Sequence, residues 1–262
     1  MSDTIKVIQN RRSVRAYQNK AIDRDTTELI IHSAMRAPTA GNMMLYSIVE
    51  IDDQELKEKL AKSCDNQHFI AKAPLVLLFL ADYQRWFDYF LASDVASLCE
   101  SEGKMLRFPS EGDLLLACCD ALIAAQTAVI AAEALGVGSC YIGDIMENYE
   151  YHRELLDLPQ YTFPITLLCF GYPSASAAKR ELQPRYSREA ICFKDRYRRL
   201  DEAALARAFE FRGPRRYSGG ARNFGQHVYS AKFAADFTVE LNRSVREAIR
   251  AWTEPRASIT VQ

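Results

Sequence analysis

The stretch DLLLACCDALIAAQTAVIAAEALGVG, residues 113–138, constrains the fold of this chain more than any other. It holds no proline, and its first glycine stands at 136, so it reads as one helix of about seven turns at ~3.6 residues each. Asp120, Gln126 and Glu133 are its main polar interruptions. A surface helix carries a polar face, and this one has almost none. It is therefore expected to be covered around much of its circumference, by its own sheet or by a second copy of the chain. Gly136 supplies the C-terminal stop. The longest charge-free apolar run, residues 121–132, is too short to span a bilayer, so no membrane is expected.

Elements of two kinds surround this helix. Residues 4–10 read as a short helix. Asp25 and Glu28 stand at capping-box spacing and predict a helix from there to about Met35, ended by Pro38. LYSIVEI (45–51) is a strand, and 53–64 is an amphipathic helix on Leu56 and Leu60. PLVLLFLAD (74–82) is an unbroken apolar run after a proline, the mark of a strand covered on both faces. Residues 83–112 are aromatic-rich and read as an irregular surface excursion. SCYIGDI is a strand and loop, 147–156 a helix, and TFPITLLCFGYP (162–173) a strand. After residue 200 the composition shifts, and two helical segments flank the loop-like RGPRRYSGGARNFGQ. Strands alternating with helices predict a layered α/β or α+β core over 1–200 with a helical extension over 201–262.

The chemistry is narrowed by what is missing. A formal net charge of −1 argues against nucleic-acid binding, which calls for a basic surface. Seven cysteines, an odd number with no CxxC pair and no zinc-like spacing to the four histidines, point to a reducing cytoplasm and to no metal. MSDTIKVIQN lacks the apolar centre of a secretory signal. GVGSCYIG approaches a dinucleotide fingerprint, but Tyr141 replaces the third glycine and the motif leads from helix to strand, the wrong order. Gly138 and Gly143 have P-loop spacing, yet Asp144 follows where lysine is needed. There is no G-x-S-x-G and no HExxH, so triad and metal-centred chemistry are not expected. Three cationic or small-residue loops remain. NRRSVRAY gathers Arg11, Arg12, Ser13 and Arg15; PTAGN offers Thr39, Ala40, Gly41 and Asn42; KRELQPRYS holds Lys179, Arg180 and Arg185. Each fits a solvated loop, and each fits contact with an anionic or flat ligand.

Taken in order, these stretches resemble the nitroreductase family of FMN-dependent, NAD(P)H-using oxidoreductases, most closely its NADPH-preferring flavin reductase branch. The resemblance covers about residues 4–200. It rests on RRSVRAY, SAMRAPTAGN, NQHFIAKAP, DALIAAQTAVIAAEALGVGSCYIGDI, and LCFGYP followed by QPRYS. It implies a three-layer α/β/α sandwich of the α+β class, with a mixed central sheet around the long helix. It implies that the chain is a homodimer with flavin between subunits, its C-terminal extension wrapping the partner. By resemblance, Arg11, Arg12, Ser13 and Arg15 surround the FMN phosphate, ribityl chain and pyrimidine edge. Thr39, Ala40 and Asn42 line the flavin, and the Gln67 amide hydrogen-bonds the isoalloxazine. Tyr141, Ile142, Gly143 and Asp144 form the wall on the ring's other side, and Arg185 binds phosphate. Gln183 stands where the family usually has a phosphate-binding lysine, with Lys179 or Arg180 as substitutes.

The implied activity passes hydride from NADPH or NADH through FMN to a small-molecule acceptor (a nitroaromatic, a quinone or free flavin) by a ping-pong route. The alternative on the same fold is a non-catalytic flavin binder, a redox sensor or store. Arg215 and Arg216, in the glycine-containing stretch beyond the core, are the candidates for the 2′-phosphate of NADPH.

Overall fold

Several helices begin where a short side chain takes up a free N–H, as at Ser2, Asp23, Asp53 and Asp201. The computed structural model describes residues 1–212, 217 and 219–254. In chain order these form α1 (Asp3–Asn10), α2 (Arg24–Met35), β1 (Tyr46–Glu50), α3 (Gln54–Ser63), β2 (Leu75–Asp82), α4 (Gln84–Ala92) and α5 (Val95–Ser101). There follow α6 (Glu111–Ala134), β3 (Gly138–Ile142), α7 (Tyr149–Leu155), β4 (Thr162–Gly171), α8 (Ala175–Ala178), α9 (Arg188–Ile191), α10 (Glu202–Phe209), α11 (Phe224–Val228) and α12 (Asp236–Thr253). The N-cap of α2 is Asp23, whose carboxylate accepts from the Thr26 N–H at 2.8 Å. The expected cap at Asp25 is corrected: Glu28 does not reach back but pairs with Arg24 one turn earlier. Nor are residues 83–112 irregular. They contain α4 and α5, because Phe87 is fully buried against Tyr161 and fixes the first of these helices on the core.

The chain divides into two compact units, one comprising Met1–Arg180 with the chain from Glu240 onward, the other Glu181–Val239. The first is built on a four-stranded sheet of order β1-β2-β4-β3. Every ladder is antiparallel. The mixed character expected of the sheet is confined, among the described residues, to one isolated parallel bridge, Ser13 to Ser139 at the β3 edge.

All eight residues of β2 are buried, and the two-residue side-chain period divides them between two cores. Leu75, Leu77 and Phe79 join Leu168, Phe170, Ile30 and the alanines of α6 on one face. Val76, Leu78 and Leu80 join Leu167, Cys169, Ile142, Leu60 and Ile70 on the other. The layers are thus α2 and α6, the sheet, and α3. Pro164 is tolerated inside β4 because it sits at a bulge: Phe79 faces Thr166 and Leu80 faces Pro164, leaving Ile165 without a partner.

Helix α6 is about 36 Å long at ~1.5 Å per residue, and ends where Gly136 turns to φ +76°. Its length and composition are those of a bilayer span, yet it is the core helix of this unit. Ala117, Ala121, Ala124, Ala125, Ala128 and Ala132 bury one face completely, their small side chains letting the helix lie close to the sheet. The opposite face is uncovered and apolar. Leu115 is 67% exposed, Leu116 44%, Leu122 41% and Ile123 40%.

In the second unit Tyr186 packs edge-on against Phe209 and Phe211, each at 5.2 Å between ring centroids. The Arg212 guanidinium lies over Phe211 and Phe224 at 4.7 and 4.9 Å.

Candidate functional site

Two glycines bring the arginine-rich N-terminal segment to the sheet. A Cβ on Gly138 would meet Val14 at 2.5 Å, and one on Gly171 would meet Tyr17 at 2.5 Å. Only glycine lets residues 13–17 lie so close to β3 and β4. The segment is then stitched in place by Val14 N–H to Ser139 O (2.9 Å) and Gln18 N–H to Tyr172 O (2.8 Å), while Ser174 N–H donates to Ala16 O (3.0 Å).

This fixes Arg11, Arg12, Ser13 and Arg15 along the β3 edge. No ion pair among the described residues uses any of the three arginines. Arg12 Nη1 donates to the carbonyls of Ala178 (3.2 Å) and Arg180. Buried Nε of Arg11 and buried Oγ of Ser139 have no hydrogen-bond partner among the described residues. Arg12 also lines a cleft of about 240 Å³ with Glu133, Gly136, Gly138 and Ala178. Burial there raises the Glu133 carboxyl above its ordinary value, against the pull of Arg11 and Arg12.

Residues 141–144 follow directly from β3. The Tyr141 hydroxyl donates to Gln126 Oε1 on α6 at 3.2 Å, and burial pushes its pKa up to about 12. Ile142 is buried in the core, and Gly143 is exposed. Gln67 Nε2 donates to Asp144 Oδ2 at 2.9 Å and to Cys64 O at 3.1 Å. The Cys64 thiol is pushed up to about 12, by burial first and by the Asp144 carboxylate second. Arg15 lies over the Phe69 ring at 6.0 Å. The structure therefore brings Arg11, Arg12, Ser13, Arg15, Gln67 and residues 141–144 together at the β3 edge of the sheet and the turn that follows it.

Thr39, Ala40 and Asn42 are anchored elsewhere. Asp120, 3% exposed on α6, accepts from Thr39 Oγ1, from Ala40 N–H (3.1 Å) and from Leu45 N–H (3.2 Å). Thr39 Oγ1 in turn accepts from Met44 N–H at 2.8 Å. The enclosed loop is wound left-handed, with φ of +55° at Gly41, +57° at Asn42 and +50° at Met44. From α4, Arg85 Nη2 donates to Met44 O (2.6 Å) and Tyr46 O (3.0 Å), and Trp86 Nε1 donates to Met43 O (2.6 Å). The loop borders an apolar cleft of about 690 Å³ lined by Asn42, Met43, Met44, Tyr46, Trp86 and Tyr89, among others. Asp120, Arg85 and Trp86 are the residues that sequence reasoning missed. The one available signal was Asp120 itself, a carboxylate set within the apolar run of α6.

Helix geometry separates the two groups. Asp120 and Glu133 are about 20 Å apart along α6 at ~1.5 Å per residue, and roughly 140° apart around it. Gln126 and Glu133, one heptad apart, share a face. Gln183 and Arg185 belong to the second unit, where Arg185 Nη1 donates to Gln183 O at 3.2 Å. Arg215 and Arg216 lie outside the described residues. Among the described residues no His, Cys, Asp or Glu cluster is arranged to hold a metal.

The chain is an α+β protein of three layers around a long central helix, with a cationic edge that makes no ion pair among the described residues. The Nitroreductase family profile matches residues 8–172, and the chain belongs to that family. It is similar to the FMN reductase (NAD(P)H) of Bacillus subtilis, 30% identical over 236 residues that cover 88% of this chain and 91% of that protein. It is also similar to the oxygen-insensitive NADPH nitroreductase of Salmonella typhimurium, 33% identical over 207 residues covering 79% and 80%. Among solved structures, NfrA2 of B. megaterium superposes with a TM-score of 0.73 at 29% identity, covering 95% of this chain and 98% of that one.

Proposed function

We propose that the chain is an FMN-dependent oxidoreductase that takes hydride from NADPH or NADH and reduces a small-molecule acceptor, a nitroaromatic, a quinone or free flavin. The observation that carries this reading is the row of guanidinium groups along β3, none of which makes an ion pair among the described residues although Glu133 lies within the field of Arg11 and Arg12. Unpaired arginines beside an orphaned buried Nε and a buried hydroxyl form a donor set for an anion, and guanidinium suits phosphate bidentately. The donor set fits FMN. Its phosphate falls to Arg11, Arg12 and Ser13, with Lys179 or Arg180 where Gln183 replaces a lysine; the family resemblance implies Arg185 as a further phosphate ligand. Its ring falls to Arg15, Gln67 and the backbone of 141–144. FMN, when bound, supplies hydride acceptance and onward transfer in two half-reactions. The protein's own part is to hold the ring, to give its pyrimidine edge the positive field of Arg15, and to leave one face open to donor and acceptor in turn.

The site is completed by a second copy of the chain. Loop 39–42, on its separate face of α6, serves the arginines of the partner, and the flavin lies between subunits. Support comes from the exposed stripe Leu115, Leu116, Leu122 and Ile123, which runs beside Gln126 and is too apolar to leave in water. The C-terminal extension, 201–262, wraps that partner, and Arg215 and Arg216 receive the 2′-phosphate of NADPH. The seven cysteines are all free thiols, in keeping with a cytoplasmic enzyme.

The test is direct. Purified yellow protein should bleach with NADPH or NADH in the absence of oxygen and regain colour on adding a quinone or nitroaromatic. Acid should release FMN, and sedimentation should report about twice the 29.7 kDa chain mass. Colour that persists under excess nucleotide would rule out the enzyme reading, and a flavin-loaded monomer would rule out the composite site. Replacing Arg215 and Arg216 by alanine should raise KM for NADPH and leave KM for NADH and bound FMN little changed.

A further inference from the structure

The Gln67 amide is oriented without ambiguity. Its Nε2 has two hydrogens, and both neighbours within reach, Cys64 O at 3.1 Å and Asp144 Oδ2 at 2.9 Å, are pure acceptors. Turning the amide over would set an oxygen against two oxygens. Both N–H groups are therefore engaged, and Gln67 Oε1, which has no hydrogen-bond partner among the described residues, is the one polar atom this side chain has left to offer. An amide is ordinarily a donor and an acceptor at once. Here it is an acceptor only.

We propose that Asp144 is a positioning residue that sets the polarity of Gln67, so that the site selects a flavin carrying an N–H at ring position N3. The proposal rests on the flavin reading above. An oxidised isoalloxazine has one N–H, at N3, and otherwise presents ring nitrogens and carbonyl oxygens that accept. Of these groups only N3–H can pair with Gln67 Oε1; the others would face it oxygen to lone pair. Asp144 acts through Gln67. Its place is set by the turn after β3, where Met146 N–H returns to Gly143 O at 3.0 Å and Glu147 N–H to Asp144 O at 3.0 Å. Gln67 is held from the other side by its own turn, through Ile70 N–H to Gln67 O at 2.9 Å. Two rigid turns thus bracket the amide. Without the carboxylate, the second N–H of Gln67 is released toward the ring, where the carbonyls of any flavin accept it.

The test is a competition on the full-length purified protein. It is equilibrated with an equimolar mixture of FMN and 3-methyl-FMN, and the bound flavins are released and counted by mass spectrometry. The native chain should prefer FMN by about tenfold, the factor one hydrogen bond is typically worth. Asp144→Asn, whose Oδ1 still accepts from Gln67, should keep that preference. Asp144→Ala should bring it below about threefold while still binding flavin. If Asp144→Ala loses flavin overall but keeps the tenfold ratio, Asp144 is merely structural and the proposal fails. A native ratio near one also overturns it, and leaves the flavin reading standing because flavin is bound. Failure of the native chain to take up either flavin overturns the flavin reading itself, and this proposal with it.

Discussion

Asp120→Asn isolates the anchor of loop 39–45 with no change in side-chain size. In the native chain two carboxylate oxygens serve three donors: Thr39 Oγ1 and Leu45 N–H share Oδ2, and Ala40 N–H takes Oδ1. Asparagine has one carbonyl oxygen. Its better orientation keeps the two donors at the Oδ2 position and turns its NH2 against Ala40 N–H. Two donors then face each other in a site where residue 120 is 3% exposed. An unsatisfied buried donor costs about 1–3 kcal/mol, so the pair costs about 2–4 kcal/mol with Ala40 only partly buried. At an m of about 3 kcal/mol/M, the urea midpoint should drop by about 1 M. Protein and FMN concentrations must be held fixed between variants, because ligand binding and the proposed dimerisation would both add to apparent stability. The left-handed turns at Gly41, Asn42 and Met44 lose their clamp at the same time, so bound flavin should exchange faster. A midpoint within about 0.2 M of the native chain, about 0.5 kcal/mol at that slope, would show that Asp120 does not hold the loop.

Two buried titratable groups should tilt the pH profile in opposite directions. His152 donates from Nδ1 to Ile145 O and accepts at Nε2 from Ser63, and burial pulls its pKa below 6.5. The unfolded chain therefore binds the extra proton first, so this contribution is full above pH 6.5 and is lost as pH falls toward the folded value. Glu147 is raised from 4.5 to about 7 by burial and then by Asp144, Asp65 and Glu240. Its contribution is full below pH 4.5 and is lost as pH rises through about 7, so Glu147→Gln should gain on the native chain in urea midpoint between pH 5 and pH 8. An unchanged difference across that range would contradict the assignment. Gly138→Ala should push Val14 and the arginines off the sheet edge at about 1–3 kcal/mol, seen as lower flavin occupancy in the purified protein. Full occupancy would mean that this close approach does not position the pocket.

Local periodicity and composition suffice for most of the elements. β2 is legible because a strand buried on both faces needs no alternation, and α6 because few other arrangements accommodate 24 such residues. The arginine cluster is legible as charge, and its order with the later loops as a family. Local cues mislead where two short-range options compete. Asp23 and Asp25 both suit an N-cap, and the choice falls to Asp23 because Arg24 takes Glu28. Residues 84–92 do carry helical spacing in Trp86, Phe87, Phe90 and Leu91, which an irregular reading overlooks, whereas 95–101 bury no side chain and offer no such stripe. What only the tertiary structure decides are pairings across long separations. Asp120 meets Thr39 over 81 residues, Gln67 meets Asp144 over 77, and Arg12 meets Ala178 over 166. A hydrogen bond depends on distance and angle, and sequence spacing sets those only within a turn or a helix. The sequence names the donors and acceptors, while the packing of sheet against helix selects which of them meet.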